Sequence, residues 1–318
     1  MEGVIYGAFS AYQGVKGIMS LRFAPWGNDF SLVCLGNNME PLGFVSSRVS
    51  NFVSVQKHTE NLAQIRDISP ASSRNTSKGA LVKETYAVFS AVRAGLPLAA
   101  VRHAILNGEV IQKTSYETRR KIWNALHHRY VSVCAVWIGQ ALAAATQAGR
   151  QSPEYLSLVY LYFALRDRLT FDFVTGPVWE KWIQKGTILE QRDFLVFLEQ
   201  QAERFPQIKK WRESTRHRLA SANLTALRDF GVLKGVKKKR IQRPLIAAET
   251  VFHLLSILSA EGREGRALIE APDWRLFLWS EADIAYALTE LAQKGWIRFE
   301  KAGRTVLLQM LRGAEGLP

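Results

Sequence analysis

The chain has 318 residues, 47% of them apolar and 22% charged, a composition ordinary for a folded globular protein with room for two domains. Its formal net charge of +14 and pI near 9.9 are not ordinary, and they point to a polyanionic partner: nucleic acid first, a membrane surface second. Two cysteines a hundred residues apart, Cys34 and Cys134, argue against a disulfide framework and a cysteine zinc site, and fit a reducing cytoplasm.

In chain order, residues 1–76 show scattered Gly, Asn and aromatic positions without a sustained helical period. They read as a peripheral N-terminal extension, with Met19 and Met39 as alternative starts. Glu2 and the lack of a basic leader argue against a secretory signal. The polar stretch Ser69–Gly79 reads as a linker.

Residues 77–203 read as a helical domain. Leu81, Thr85, Val88 and Val92 form one stripe that stops at Gly95. A short second helix over "LPLAAVRHAIL" ends at Asn107-Gly108, and Thr114 with Glu117 supplies the T-x-x-E pattern of a capping box at the start of a third. The rhythm is that of a helix-turn-helix segment. The run Val131–Ala145 is shorter than the roughly 20 residues a membrane span needs, and Gln140 interrupts it. It and the apolar stretches up to residue 203 read as buried helices, with Gly176-Pro177 as punctuation.

Residues 204–318 read as a winged-helix-like region with short β-hairpins. A helix with Leu219, Asn223, Leu227 and Phe230 near one face ends at Gly231, and "VLKGVKKKRIQRPLI" follows as a hairpin with the cationic tip Lys237–Arg240. A second helix with Ile284, Leu288 and Leu291 on one face leads into a strand–turn–strand with Gly303 in its basic turn. Residues 204–244 carry 13 basic and 2 acidic side chains, whereas residues 245–318 carry 8 and 10. So concentrated an excess is a binding surface rather than general solubilisation.

Two candidate contact groups follow. On the third helix, at about 100° per residue, Ile122, Ala125, Leu126 and Tyr130 fall on one side, while Tyr116, Arg120, Lys121 and Asn124 face outward, types that pair with base edges and phosphates. Arg119, counted with this contact group, and Arg129 lie nearer the apolar side, where each snorkels or pairs. Lys113, Thr114, Ser115 and the helix N-terminus can hold a phosphate through backbone N–H groups. The plain alternative is a solvated amphipathic helix. The second group is Lys234, Lys237, Lys238, Lys239, Arg240 and Arg243, whose mutual repulsion phosphates would relieve.

Enzymatic and metal readings find little support. The sequence has no G-x-x-x-x-G-K-[ST], G-x-S-x-G or H-E-x-x-H. Adjacent His127 and His128 point about 100° apart on a helix and share an ion poorly. Asp167 and Asp172 are explained by ion pairing with the neighbouring Arg166 and Arg168. No cofactor is expected.

The stretch "SKGALVKET…VRAGLPLAAVRHAILNGEVIQKTSYETRRKIWNALHHRY" resembles the BrxA family of bacterial BREX phage-defence systems, through Lys78 to Leu81, Glu84-Thr85, Gln112-Lys113, Ser115, Thr118 to Arg120 and Arg129-Tyr130. The resemblance runs over about residues 77 to 310 and includes the basic hairpin; residues 1–76 have no counterpart in it. It implies a mainly α, non-enzymatic, cytoplasmic protein that binds double-stranded DNA beside other BREX subunits. It also implies a NusB-like helical core, which keeps RNA as an alternative partner. A protein-interaction scaffold is the other alternative.

Overall fold

The structure is a computed structural model that describes residues 18–22, 29–33, 64–77, 79–132 and 136–313. Cys34, Cys134, Met39 and Lys78 lie outside the described residues. The chain divides into two compact units, residues 1–58 and 59–318. Within the first, strands β1 (Ile18–Arg22) and β2 (Asp29–Val33) pair antiparallel, Ser20 opposite Ser31.

The larger unit is mainly helical. Its first helix, α1 (Val82–Arg93), buries Thr85, Val88 and Phe89, and Gly95 in the left-handed region (φ 107°) ends it. Helix α2 (Val101–Asn107) stops at Gly108 (φ 83°), and α3 (Tyr116–Leu126) follows after a loop. A wide π turn (His127–Val131) carries α3 into the core, and α4 (Val136–Ala145) follows.

Helix α5 (Pro153–Leu165) is apolar all round and is the buried axis of the unit. Ser152 caps it by accepting from Tyr155 N, with Pro153 at the first helical position. Its polar atoms are spent on long-range ties: Tyr160 Oη donates to Leu276 O (3.0 Å), Tyr162 Oη bonds His253 Nδ1 (2.7 Å), and Ser157 Oγ meets Thr250 Oγ1 (2.7 Å). Helices α6 (Arg168–Phe173) and α7 (Trp179–Ile183) are joined by a π turn, Val174–Val178, so Gly176-Pro177 widens the helical path instead of breaking it.

Next come β3 (Ile188–Leu189), α8 (Gln191–Arg204), a 3₁₀ turn (Pro206–Lys210), α9 (Glu213–Asp229), β4 (Leu233–Lys234) and β5 (Lys239–Ile241). The sheet order is β3-β5-β4, all antiparallel, with Arg240 opposite both Ile188 and Lys234. The basic hairpin is therefore joined by a strand from before residue 203, where only helices were expected. Two residues are too few to show alternation.

Helix α10 (Ala248–Ala260), the short α11 (Arg266–Ile269), a 3₁₀ turn (Pro272–Phe277), α12 (Glu281–Gln293) and the hairpin β6 (Ile297–Ala302)–β7 (Thr305–Met310) complete the unit.

The polar stretch expected as a linker is built into this unit. Ala71, Asn75 and Ala80 are buried, and Gln207 Nε2 donates to Ala71 O (3.1 Å). Just upstream Ile65 is buried, Asp67 N donates to Leu165 O (3.1 Å), and Arg66 pairs with both Glu261 and Asp273. Polar side chains mark this stretch as solvated by composition; long-range partners that composition does not contain make it internal.

Candidate nucleic-acid interface

Helix α9 sits at the centre of the basic block. It buries Leu219, Ala220, Asn223, Leu224, Ala226 and Leu227 on one side. The opposite side, weighted to the N-terminal half, exposes Arg212, Ser214, His217, Arg218 and Ser221. The 3₁₀ turn before it exposes Lys209 and Lys210. The entry is fixed by backbone acceptors: Arg216 donates to Ile208 O (3.1 Å), and Gln191 Nε2, from the start of α8, donates to His217 O (2.7 Å). Helix α8 begins with a reciprocal capping box, Glu190 and Asp193. The outward residues of α9 are missing from the candidates read from sequence, although their spacing, 214, 217, 218 and 221, is that of one helix face. The flanking lysine run was the louder signal.

Below α9 lies a buried polar knot. Asn223 Nδ2 donates to Thr170 Oγ1 (2.6 Å), and Thr170 bonds Asp167, which caps α6 through Thr170 N (3.2 Å). Arg129, expected only near an apolar side, is fully internal: it donates to Asn75 Oδ1 (2.6 Å) and Gly79 O (2.8 Å), and its guanidinium lies 4.6 Å from the centre of the Phe163 ring. Burial lowers the Arg129 pKa, and burial raises that of Asp167 against the opposing bonds from Thr170 and the Arg129 charge. Asp167 is a helix cap, and Asp172 sits between Arg168 (3.5 Å) and Arg204 (3.9 Å).

The hairpin beyond α9 turns at Gly235 (φ 100°), where a Cβ would lie 2.3 Å from Lys238 O, so only glycine fits. Lys234, Lys237, Lys238 and Arg240 are exposed, while Lys239 is half-buried in β5 with its Nζ on Val236 O (3.1 Å). The tip is thus Gly235–Lys238; Lys239 and Arg240, expected in it, belong to the strand. Arg243 is spent: its two terminal nitrogens bind Asp283 at 2.9 and 3.0 Å.

Helix α3 holds the other candidate group. Tyr116, Lys121 and Asn124 are exposed, and Arg120 is exposed but paired with Glu117 (2.9 Å). The expected Thr114–Glu117 capping box does not form: Ser115 is the N-cap, without a side-chain bond, because the helix starts one residue later than the pattern assumed. Arg119 is structural, donating to Leu106 O (2.8 Å) and to the carbonyls of Lys113 and Thr114, and Lys113 lies 3.6 Å from Glu84. The histidines diverge: His127 packs on Trp123, while His128 Nε2 lies 3.1 Å from Asp67. Burial, with the nearby charges of Arg74 and Arg166, lowers the His128 pKa. Among the described residues no group of three or more His, Cys, Asp or Glu is placed to hold a metal, and no helix is long and apolar enough to cross a membrane.

Fold and surface together define a mainly α-helical protein with a concentrated cationic face on one helix and its adjoining hairpin. The BrxA family model matches residues 72–257, more than half of the chain, and the chain belongs to the BrxA family. It is 28% identical over 113 residues to a Bacillus cereus (strain H3081.97) protein named BREX protein BrxA, a match that covers 35% of this chain and 56% of that protein. This chain therefore matches only about half the length of that relative. The crystal structure of an uncharacterized protein from Magnetospirillum magneticum aligns with a TM-score of 0.50 at 16% identity, over 66% of this chain and all of that one, a likeness of fold alone.

Proposed function

We propose that this chain is a component of a BREX phage-defence system that binds double-stranded DNA without catalysing a reaction on it. One observation carries the reading: the order α7–β3–α8–α9–β4–β5, with sheet order β3-β5-β4, supports reading this segment as a winged helix, with exposed cations on the helix and hairpin that would then meet the duplex. In this arrangement α9 enters the major groove with Ser214, His217, Arg218 and Ser221 toward base edges. Lys234, Lys237, Lys238 and Arg240 lie on flanking phosphates, with Lys209 and Lys210 at the turn. Tyr116, Lys121 and Asn124 of α3 supply a second contact. Membership of the BrxA family and the name of the Bacillus relative support a place beside other BREX components.

The test is selection of bound sequences from a randomised duplex pool by the wild type and by Arg218→Ala, with structured RNA as competitor. Arg218→Ala is expected to lose about 1–3 kcal/mol on the preferred duplex and to relax preference at one position. Identical selection and affinity would remove α9 from the groove. Preferential binding of RNA would replace the duplex as the partner.

A further inference from the structure

Among the described residues a helix is followed at once by a β-hairpin twice, α9 by β4–β5 and α12 by β6–β7. Their outward faces differ in kind. Helix α9 and its N-cap expose Arg212, His217 and Arg218 beside one carboxylate, Glu213, which lies 3.5 Å from His217, whereas α12 exposes Glu281, Tyr286, Thr289 and Glu290 and carries no Lys or Arg. A phosphate backbone laid along α12 would meet carboxylates. Two of the cations on its hairpin are paired, Arg298 with Glu300 (2.8 Å) and Lys301 with Glu281 (2.7 Å), which leaves Arg304 at the turn as its exposed, unpaired cation among the described residues.

Beside α12 is a cavity of about 220 Å³, small against the roughly 300–1,000 Å³ of sites for drug-sized ligands and suited to one long side chain. Its lining combines apolar Ile246 and Val251, aromatic Trp279 and Tyr286, and the charged Arg243, Asp283 and Glu290. Tyr286 is 76% exposed, which leaves its ring open to a ligand at the cavity. The Glu290 carboxylate has no hydrogen-bond or ion-pair partner among the described residues. The other acid of the cavity, Asp283, already holds a guanidinium, that of Arg243.

We propose that this cavity takes an arginine side chain presented by a basic segment of a partner protein. The apolar lining covers the arginine stem, Trp279 and Tyr286 offer ring faces to its guanidinium, and Glu290 supplies the counter-charge. The Arg243–Asp283 pair is the same recognition made within the chain. On this reading the second helix–hairpin unit is a protein-docking module. The inference stands independently of DNA binding by α9.

The experiment titrates the full chain with N-acetyl-arginine amide, N-acetyl-norleucine amide and inorganic phosphate, following the Trp279 indole N–H resonance identified from Trp279→Phe. The arginine amide is expected to move that resonance saturably, with half-saturation in the millimolar range for so small a ligand. Glu290→Gln, a change at an exposed carboxylate that leaves packing intact, is expected to weaken it about fivefold. Tyr286→Ala is expected to weaken it further. Equal response to the norleucine amide would reduce the cavity to an apolar one, movement by phosphate would make it an anion site, and no saturable movement would end the proposal.

Discussion

Replacing Lys237 and Lys238 together by Ala removes two exposed cations from the hairpin tip while leaving both strands and Gly235 in place. If each neutralises one phosphate, the slope of log K against log salt flattens by about 0.9 per contact, or about 1.8 in all. Between about 50 and 200 mM salt that difference is about 1.1 decades, so the wild type should lose about twelvefold more affinity over the interval than the double variant. Fluorescence anisotropy of a short labelled duplex, repeated across salt, measures it. Arg243→Ala is the internal control: its guanidinium is held by Asp283, so it should leave the slope nearly unchanged although it removes a formal charge from the same block. The reasoning fails if the double variant keeps the wild-type slope, or if Arg243→Ala flattens it as much as a lysine change does.

Two further expectations concern the fold that carries this surface. His253 is fully buried, hydrogen-bonded to Tyr162 Oη and packed on Trp137, and burial pushes its pKa down to about 3. The unfolded chain takes up a proton near pH 6.5 that the folded chain refuses. Stability is therefore intact above that pH and falls as pH drops toward 3, by about 1.4 kcal/mol per unit or roughly 2 kcal/mol at pH 5. Urea unfolding at pH 7 and pH 5 should show this extra loss in the wild type and not in His253→Phe; equal losses in both would refute it. Gly235→Ala places a Cβ against Lys238 O in a left-handed turn and should destabilise the hairpin by about 1–3 kcal/mol. Hydrogen exchange should then quicken at the amides of Lys234 and Arg240 and stay unchanged in α5.

The helices were legible because apolar spacing reports burial directly: the stripe through Thr85 and Val88 and the face of Ile122, Leu126 and Tyr130 both point inward. The basic hairpin was legible because apolar residues flank a cationic turn. What escaped depends on partners far away in sequence. Strand β3 is two residues long and exists only because β5, some fifty residues later, offers it an edge. Arg119 looks like a phosphate ligand in a basic run, yet the unsatisfied carbonyls of Leu106, Lys113 and Thr114 claim it. The face of α9 was hidden by ordinary composition. The inward face of Leu219, Asn223 and Leu227 was legible, but Ser214, His217 and Ser221 opposite it carry little formal charge and were passed over beside the lysine run.

The strap around residues 65–67 has a consequence for the order in which the molecule is assembled. Arg66 closes on Glu261 and Asp273, and Asp67 on the carbonyl of Leu165. During synthesis the chain emerges from its N-terminal end, so the Leu165 carbonyl appears about halfway through and the two acids that hold Arg66 only late. Asp67 can therefore fasten once α5 is made, whereas Arg66 waits for the C-terminal part of the chain. The strap closes in two stages, and a chain that stalls before Glu261 leaves its ionic half open.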